Sequence, residues 1–263
     1  MGPGMLSYQH LYHAGNLADV HKHAVLASVL ARMLLKDKPL SYLETHAGRG
    51  LYDLDAAEAQ KTGEAARGIG RCRPWFAADH PYARVLDKVR RQYGASAYPG
   101  SPLIAALMLR PGDAIHLAEL HPQEFAALRT AMAPLHAQVH PQDGAAMALS
   151  LTPPTPRRGL MLIDPSYEVK SDYAAMARLV TNVHRRWNVG VLMLWYPLLA
   201  GDPHLPMLAT LADAGLPKTL RHEVRFPPAR EGHRMTGSGL FLVNAPFGIE
   251  DELARLTARF AGL

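Results

Sequence analysis

The chain has 263 residues, 48% of them hydrophobic, which is enough to bury a core of its own within one domain of ordinary composition. The net charge of +5 and the pI near 9.4 favour a polyanionic partner such as a nucleic acid, although charge alone fits simple solubility equally well. The single cysteine, Cys72, excludes an internal disulfide and makes a reducing, cytoplasmic compartment the default expectation.

No stretch of the sequence predicts a membrane span. The longest apolar run near the start, residues 24–35, is interrupted by Ser28 and Arg32, is too short to cross a bilayer and lacks the form of a signal peptide. We expect residues 1–4 to be an added leader ahead of a native start at Met5. The oligomeric state is not fixed by the sequence, and a monomer is the default expectation.

Helical and strand patterns alternate over most of the chain. Asn16 precedes apolar residues spaced three and four apart, which predicts a capped amphipathic helix whose other face carries His21, Lys22 and His23. Ser101 and Pro102 predict the N-cap and first residue of a later helix. The alternation predicts a parallel sheet covered on both faces. Strands are expected at 40–44, 114–119, 138–140, 159–163, 189–195, 219–226 and 240–244, and helices at 17–34, 101–109, 121–133, 144–151, 171–186, 205–214 and 249–260.

The pattern loosens between Tyr52 and Tyr98, where charged residues, glycines and aromatic residues mix. Only the spacing of residues 82–93 indicates a helix there. We therefore predict three parts. Residues 5–52 hold an N-terminal motif and the start of the core, residues 53–98 form a helical insertion over the crevice, and residues 99–263 complete the core.

Several predicted strands end in an acidic or glycine-rich segment. Glu44 leads into the turn from His46 to Gly50, and Glu119, Asp143 and Asp164 end or follow later strands. A glycine such as Gly48 lets backbone approach a ligand closely, and an acid after the second strand commonly accepts hydrogen bonds from ribose hydroxyls. Each signal is weak alone, but their order is that of a nucleoside site. No P-loop is present, so the pattern favours S-adenosylmethionine, whose cationic sulfonium suits a pocket lined by carboxylates.

The segment Asp164-Pro165-Ser166-Tyr167 follows a buried apolar run and supplies a possible chemistry. The Asp164 carboxylate and the Pro165 carbonyl could accept both hydrogens of an exocyclic base amine and direct its lone pair toward the methyl donor. Tyr167 could stack on a base turned out of its helix. The alternative is an Asp-Pro turn in which the aspartate caps the next helix and the tyrosine is packing.

These motifs together resemble the ribosomal RNA large subunit methyltransferase J family, whose members methylate N6 of one adenine in 23S rRNA. The resemblance runs from Met5 to about Pro246. It rests on the segments Met5–His10, His13–His23, Thr45–Gly50, Tyr98–Ile104, Glu119–Pro122, Arg157–Gly159 and Asp164–Glu168.

The resemblance implies an α/β fold, a Rossmann-like class I S-adenosylmethionine-dependent methyltransferase core with a small inserted helical subdomain. It implies 23S ribosomal RNA as partner, with Tyr8 and His10 meeting the RNA, and Asp164, Pro165 and Tyr167 as catalytic residues. The resemblance, together with the glycine turn, suggests a set of residues that bind S-adenosyl-L-methionine: Lys22, His23, His46, Gly48, Ser101, Glu119, Asp143, Gly144 and Asp164.

Two departures from the family pattern leave alternatives open. Ser166 replaces the second proline that is usual in the catalytic motif, and the chain ends sooner after Pro246 than the family leads us to expect. A DNA adenine-N6 methyltransferase and a non-catalytic nucleic-acid-binding protein of the same fold are the alternatives.

The histidines allow one more alternative, a metal-dependent nuclease. His10, His13, His21, His23 and His46 could in principle ligate a metal, but helical residues two apart do not face the same way, and we expect no metal. Arginines that could contact RNA phosphates are Arg49, Arg157, Arg158, Arg185, Arg230 and Arg234.

Overall fold

The computed structural model describes residues 10–229 and 234–263, and its centre is a seven-stranded sheet with the order β5-β4-β1-β6-β7-β9-β8. β9 runs antiparallel to both β7 and β8, and the other neighbours in this sheet are parallel. The strands in chain order are β1 Ser41–Glu44, β2 Leu51–Asp53, β3 Ala97–Pro99, β4 Ala114–Ala118, β5 Gln138–His140, β6 Gly159–Ile163, β7 Val191–Leu199, β8 Leu220–Arg225 and β9 Met235–Val243.

Helices connect these strands and pack on both faces of the sheet, as the alternating pattern predicts. In chain order they are α1 Leu17–Leu34, α2 Ala57–Thr62, α3 Pro81–Tyr93, α4 Ser101–Met108, α5 Pro122–Met132, α6 Gly144–Leu151, α7 Ser171–Arg186, α8 Leu205–Asp213 and α9 Glu250–Phe260. Within the described ranges, no helix combines the length and the apolar character that crossing a bilayer requires.

The two faces of the sheet bury separate hydrophobic clusters because side chains alternate along each strand. Tyr42 of β1 joins the cluster under α1, α3, α4 and α9, whereas Leu43, the next residue, joins the cluster under α7 and α8. β1 pairs with β4 on one side and with β6 on the other, so the chain reverses its direction of travel across the sheet between β1 and β6. Ligands bind at such a switch point, outside the carboxyl ends of the strands.

Helix α1 differs from the prediction in its surroundings. Asn16 caps it as expected, since Oδ1 of Asn16 accepts a hydrogen bond from the N–H of Asp19 at 2.9 Å. The face that carries His21, Lys22 and His23 is buried, however, and none of these side chains is solvated. α1 is therefore a central helix, enclosed by the sheet, the insertion and α9.

Two further predictions about secondary structure were wrong in detail. Ser101 is the first residue of α4 and not its N-cap, which is Gly100, because the Ser101 hydroxyl donates to Glu44 instead. β7 continues past Trp195 to Leu199, and β9 begins at Met235 rather than at Leu240, because the two strands pair with each other along this extension.

The region between β2 and β3 contains α2 and α3, and the two strands themselves form a small antiparallel sheet that the sequence pattern did not indicate. The carbonyl of Gly50, just before β2, accepts a hydrogen bond from the N–H of Gly100, just after β3, at 2.8 Å. The segment between them thus leaves the core and returns to it at one place beside the crevice.

Candidate active site

One cavity of about 650 Å³ opens at the carboxyl ends of β1, β4 and β6. This volume lies in the range usual for small-molecule sites. Tyr8 lies outside the described residues, and His10 lines the cavity. The other predicted site residues also line it: Lys22, His23, His46, Gly48, Ser101, Glu119, Asp143, Gly144, Asp164, Pro165 and Tyr167.

Glu119 and Gly48 form one wall of the cavity at the ends of β4 and β1. The N–H of Gly48 donates to Oε2 of Glu119 at 2.8 Å, and the N–H of His121 donates to Oε1 at 2.7 Å. Burial raises the pKa of the Glu119 carboxyl, and these two backbone donors partly oppose that shift. Gly48 has a φ of +62°, and a Cβ there would lie 2.7 Å from the Tyr52 hydroxyl. Only glycine fits this turn without strain.

Asp143 and Gly144 begin α6 beside this wall. Oδ1 of Asp143 accepts a hydrogen bond from the N–H of Ala146 at 2.8 Å, so its side chain is the N-cap of the helix. A Cβ on Gly144 would lie 1.9 Å from the carbonyl oxygen of Thr45. The backbone of α6 therefore touches the end of β1 directly, which holds the start of the helix against the crevice.

Ser101 is fixed from below by a buried acid. Its hydroxyl donates to Oε1 of Glu44 at 2.5 Å, and the hydroxyl of Tyr42 donates to Oε2 at 2.8 Å. Glu44 has no solvent exposure, and burial raises the pKa of its carboxyl to about 8 although both hydrogen bonds lower it in part. The carboxyl is therefore mainly protonated at neutral pH, and it orients Ser101 without placing a full negative charge under the cavity.

Lys22 connects two carboxylates in the centre of the cavity. Its Nζ lies 2.5 Å from Oδ2 of Asp164 at the end of β6 and 3.1 Å from Oδ1 of Asp19 on α1. Burial would lower the pKa of Lys22, but the two carboxylates raise it above its usual value. For Asp19, burial acts to raise the pKa, and the nearby His10, Lys22 and His23 bring it well below the usual value. Asp164 is part exposed toward the cavity.

The two predicted cofactor-binding histidines are neutral at physiological pH. Nδ1 of His23 lies 2.9 Å from the Tyr98 hydroxyl, and burial, opposed by Asp19, lowers the pKa of this imidazole to about 3. Nδ1 of His46 lies 2.7 Å from Oγ1 of Thr45, and burial lowers its pKa as well. Both rings can therefore accept or donate hydrogen bonds without carrying a charge.

Tyr167 adopts an unusual backbone conformation at the end of the Asp164 segment. Its φ is +52°. Residues other than glycine rarely adopt a positive φ, and those that do are often found at functional sites. Its hydroxyl donates to the carbonyl of Trp195 at 2.8 Å, and its ring centroid lies 4.5 Å from that of Tyr173. The ring lines the cavity but is only 7% exposed, so a base could reach one side of it only.

The sequence did not point to Asp19 or Trp195, although both line the cavity. Asp19 could not be recognised as a site residue because an acidic residue in the first turn of a helix is common. Its spacing of three and four residues from Lys22 and His23, which puts all three on one side of a helix, was the available signal. Nζ of Lys22 lies 5.7 Å from the ring centroid of Trp195, which belongs to β7.

The histidines that were considered as possible metal ligands contact different partners in the structure. Nδ1 of His21 lies 2.8 Å from Oγ of Ser238 and its Nε2 lies 2.8 Å from Nδ1 of His222, whereas His10 contacts Asp19. In residues 10–229 and 234–263, no three or more histidine, cysteine, aspartate or glutamate side chains are grouped so that they could hold a metal ion.

Three of the arginines that could contact RNA phosphates have partners within the protein, and one of them, Arg157, donates to Oδ1 of Asn188 at 3.4 Å. Arg49 forms a bidentate pair with Glu124, at 2.6 Å and 3.0 Å, which ties the glycine turn to α5. Arg158 donates to the carbonyl oxygens of Lys38 and Met33. Arg230 lies outside the described residues.

Comparison with known proteins gives consistent matches over nearly the whole chain. The family model described as "Ribosomal RNA large subunit methyltransferase D, RlmJ" matches residues 37–261. The chain is 39% identical over 255 residues to the Ribosomal RNA large subunit methyltransferase J of Escherichia coli (strain K12), covering 95% of this chain and 90% of that protein. It is 37% identical over 261 residues to the protein of the same name from Haemophilus influenzae, covering 96% and 92%.

A solved structure is similar in its fold as well as in its sequence. The crystal structure of protein LPL1258 from Legionella pneumophila superposes with a TM-score of 0.84 at 34% identity. The similarity covers 94% of this chain and 92% of that one. The sheet, the helices on both faces and the region between β2 and β3 thus belong to an architecture that a related protein shares.

Proposed function

The chain belongs to the ribosomal RNA large subunit methyltransferase J family, and on that premise we propose that it transfers a methyl group from S-adenosylmethionine to N6 of one adenine in 23S ribosomal RNA. The observation that carries the proposal is the position of Asp164 and Pro165. They end a buried strand at the same cavity that holds Glu119, Gly48 and the start of α6.

The residues on the β1 and β4 side fit the methyl donor. Glu119 offers carboxylate lone pairs for ribose hydroxyls, and the positive φ of Gly48 lets the backbone approach a nucleoside closely. Ser101, Asp143 and Gly144 are held around the same space by the contacts described above. His23, His46 and Lys22 complete the set on the side of α1. S-adenosylmethionine, when bound, supplies a methyl group on a positively charged sulfur.

Asp164 and Pro165 act on the acceptor amine. Oδ2 of Asp164 is held by Lys22, whereas Oδ1 has no hydrogen-bond partner among the described residues. Oδ1 and the Pro165 carbonyl would accept the two N6 hydrogens, which localises the nitrogen lone pair toward the methyl carbon. The new C–N bond forms as the C–S bond breaks, and the amine then loses one proton through the Asp164 carboxylate to solvent.

Three further side chains would support the reaction at the base and along the RNA. Tyr167 would contact one face of the adenine, and Lys22 would fix Asp164 while the amine reacts. His10 is anchored by Asp19 at 2.8 Å and contacts the Tyr52 ring edge-on at 5.5 Å, which suits a role against the RNA. For Tyr8, which precedes His10 in the sequence, membership of the family supports a contact with the RNA.

Transfer of labelled methyl from S-adenosylmethionine to 23S rRNA that lacks the modification tests the proposal. We expect transfer with the unaltered protein, none with Asp164→Ala, and unaltered transfer with Asp213→Ala, whose side chain is exposed at the end of α8. Unmethylated DNA serves as the competing substrate at the same salt concentration. Undiminished transfer by Asp164→Ala, or preferential methylation of DNA, would contradict the proposal.

A further inference from the structure

We propose that a second, smaller pocket beside the cavity binds a nucleotide that neighbours the target adenine in the RNA chain. This inference rests on the proposed function, because it assigns a neighbouring segment of the same substrate. The pocket has a volume of about 100 Å³. Its lining includes Asn16, Glu64, Arg67, Arg71, Phe226 and Met235.

The two pockets are neighbours. Asn16 and Met235 line both of them, one from the start of α1 and the other from the start of β9. A single strand of RNA that places one base at Asp164 must leave the cavity at some point. A strand that leaves the cavity on the side lined by Asn16 and Met235 would reach the second pocket next.

β7 gives this side of the large cavity an apolar wall. Trp195, Pro197 and Leu199 alternate along the strand, so their side chains lie on one face, and all three line the large cavity. Met235 pairs with Leu199 across the β7–β9 ladder and continues the wall. Phe226 and Pro227 extend it into the second pocket. Flat apolar surfaces of this kind stack on nucleobases without selecting a sequence.

The lining of the second pocket also includes two cations. Arg67 and Arg71 lie there, both exposed, and the Arg71 side chain has no hydrogen bond or ion pair with any described residue. Arg67 uses one nitrogen, Nη2, to donate to the carbonyl of Thr62 at 2.8 Å. Two guanidinium groups and apolar residues in one pocket suit a nucleotide, whose base is flat and whose phosphate is negative.

The acid in this pocket is buried and hydrogen-bonded within the protein. Glu64 is buried, and Nδ1 of His13 lies 3.0 Å from its Oε1. Nδ2 of Asn16 donates to its Oε2 at 3.2 Å. Both oxygens are therefore engaged, and the carboxylate links the insertion to the start of α1 beneath the arginines. A volume of about 100 Å³ excludes a second donor molecule, and it can enclose only part of a nucleotide, its base or its phosphate, while the rest stays in solvent.

A pair of double variants with the same loss of charge tests the pocket. Arg67→Ala with Arg71→Ala removes the two pocket cations, and Arg90→Ala with Arg91→Ala removes two exposed cations at the end of α3 that do not line it. Binding of 23S rRNA fragments is measured without donor, across a series of salt concentrations. We expect the pocket variant to bind about 10-fold more weakly than the control variant. The slope of log binding constant against log salt concentration should become shallower by about 0.7 for each phosphate contact that is lost.

A chemical change in the RNA gives an independent measurement. The RNA is an oligoribonucleotide that serves as a substrate of the unaltered protein. Each of the two nucleotides that flank the target adenine is replaced in turn by an abasic nucleotide. We expect one of the two replacements to weaken binding to the unaltered protein about 10-fold and to weaken binding to a Phe226→Ala variant much less.

These measurements separate the pocket from the proposed function. Equal RNA affinity and equal salt dependence of the two double variants overturn the pocket assignment, even if methyl transfer is intact. Absence of methyl transfer by the unaltered protein overturns the proposed function, whereas the binding comparison still decides the pocket. The affinity for S-adenosylmethionine and the melting temperature of both double variants should match the unaltered protein.

Discussion

The ammonium of Lys22 lies 2.5 Å from the Asp164 carboxylate and 3.1 Å from that of Asp19, so one buried cation compensates two carboxylates at the methyl-transfer cavity. Lys22 lies on α1, which is distant from Asp164 in the sequence, so this helix helps to hold the Asp164 carboxylate in place. It also explains how α1 tolerates an aspartate and a lysine with almost no exposure, since buried charges are stable only when they are paired.

Replacing Lys22 should therefore destabilise the fold as well as the site. Lys22→Met keeps the length and apolar stem of the side chain but leaves Asp19 and Asp164 without their shared cation. We expect a loss of about 3–5 kcal/mol in the free energy of unfolding, measured by urea denaturation. Asp19→Asn in the Lys22→Met background should recover part of this loss, because it removes one uncompensated charge. A Lys22→Met protein as stable as the original would show that the ion pair is not formed in the folded state.

The Glu44 carboxyl should make stability fall as pH rises. Its pKa is about 8 in the folded protein, above the ordinary value of 4.5 that applies when the chain is unfolded. Between these values the folded state keeps a proton that the unfolded state releases, so unfolding becomes easier with increasing pH, by at most about 1.4 kcal/mol per unit. Glu44→Gln cannot titrate and should lack this dependence.

The measurement is the free energy of unfolding at pH 5 and pH 7.5 for both proteins. The stability of the original protein relative to Glu44→Gln should decrease across this interval, whereas the variant serves as the control for all other titrating groups. A relative increase would mean that Glu44 is ionised in the folded state. The affinity for S-adenosylmethionine should change little, because glutamine can still accept the hydrogen bond from Ser101.

Glu119→Gln should weaken donor binding selectively. The amide keeps the size of the side chain, but one oxygen becomes an N–H donor that must face either the Gly48 or the His121 backbone N–H. We expect a rise of roughly 10- to 100-fold in the dissociation constant for S-adenosylmethionine, from the loss of charge-assisted hydrogen bonds. Calorimetry measures the effect, and RNA binding without donor is the internal control. An unchanged dissociation constant would place the nucleoside elsewhere.

The fold class was predictable from the sequence because its signals are local. Buried apolar runs such as 159–163 formed strands, and the polar residues after them came together because parallel strands end at one edge of a sheet. This is why Asp164, Glu119 and Asp143 reach the same cavity. Their participation in catalysis or donor binding remains a prediction that the variants above test.

The parts that were not predicted depend on contacts between distant segments. The extensions of β7 and β9 contain Pro197, Gly237 and Gly239, which usually interrupt strands. Here Gly239 is needed because a Cβ on it would lie 2.1 Å from the Tyr196 ring of the partner strand. Likewise Ser101 looks like an N-cap until Glu44 is brought beneath it. Neither fact is visible in a local window of sequence.

The contact between Gly144 and the end of β1 gives a prediction about backbone packing. Gly144→Ala would place its Cβ 1.9 Å from the Thr45 carbonyl oxygen, so α6 must move away from β1. We expect a loss of about 1–3 kcal/mol in the free energy of unfolding, from overpacking against rigid backbone. Donor binding should weaken as well, because Asp143 and His46 border the same contact. Gly262→Ala is the matched control, since its Cβ would lie 3.6 Å from the nearest atom, the Arg259 carbonyl oxygen. If both alanine variants unfold at the same urea concentration, α6 does not pack on β1 as closely as described.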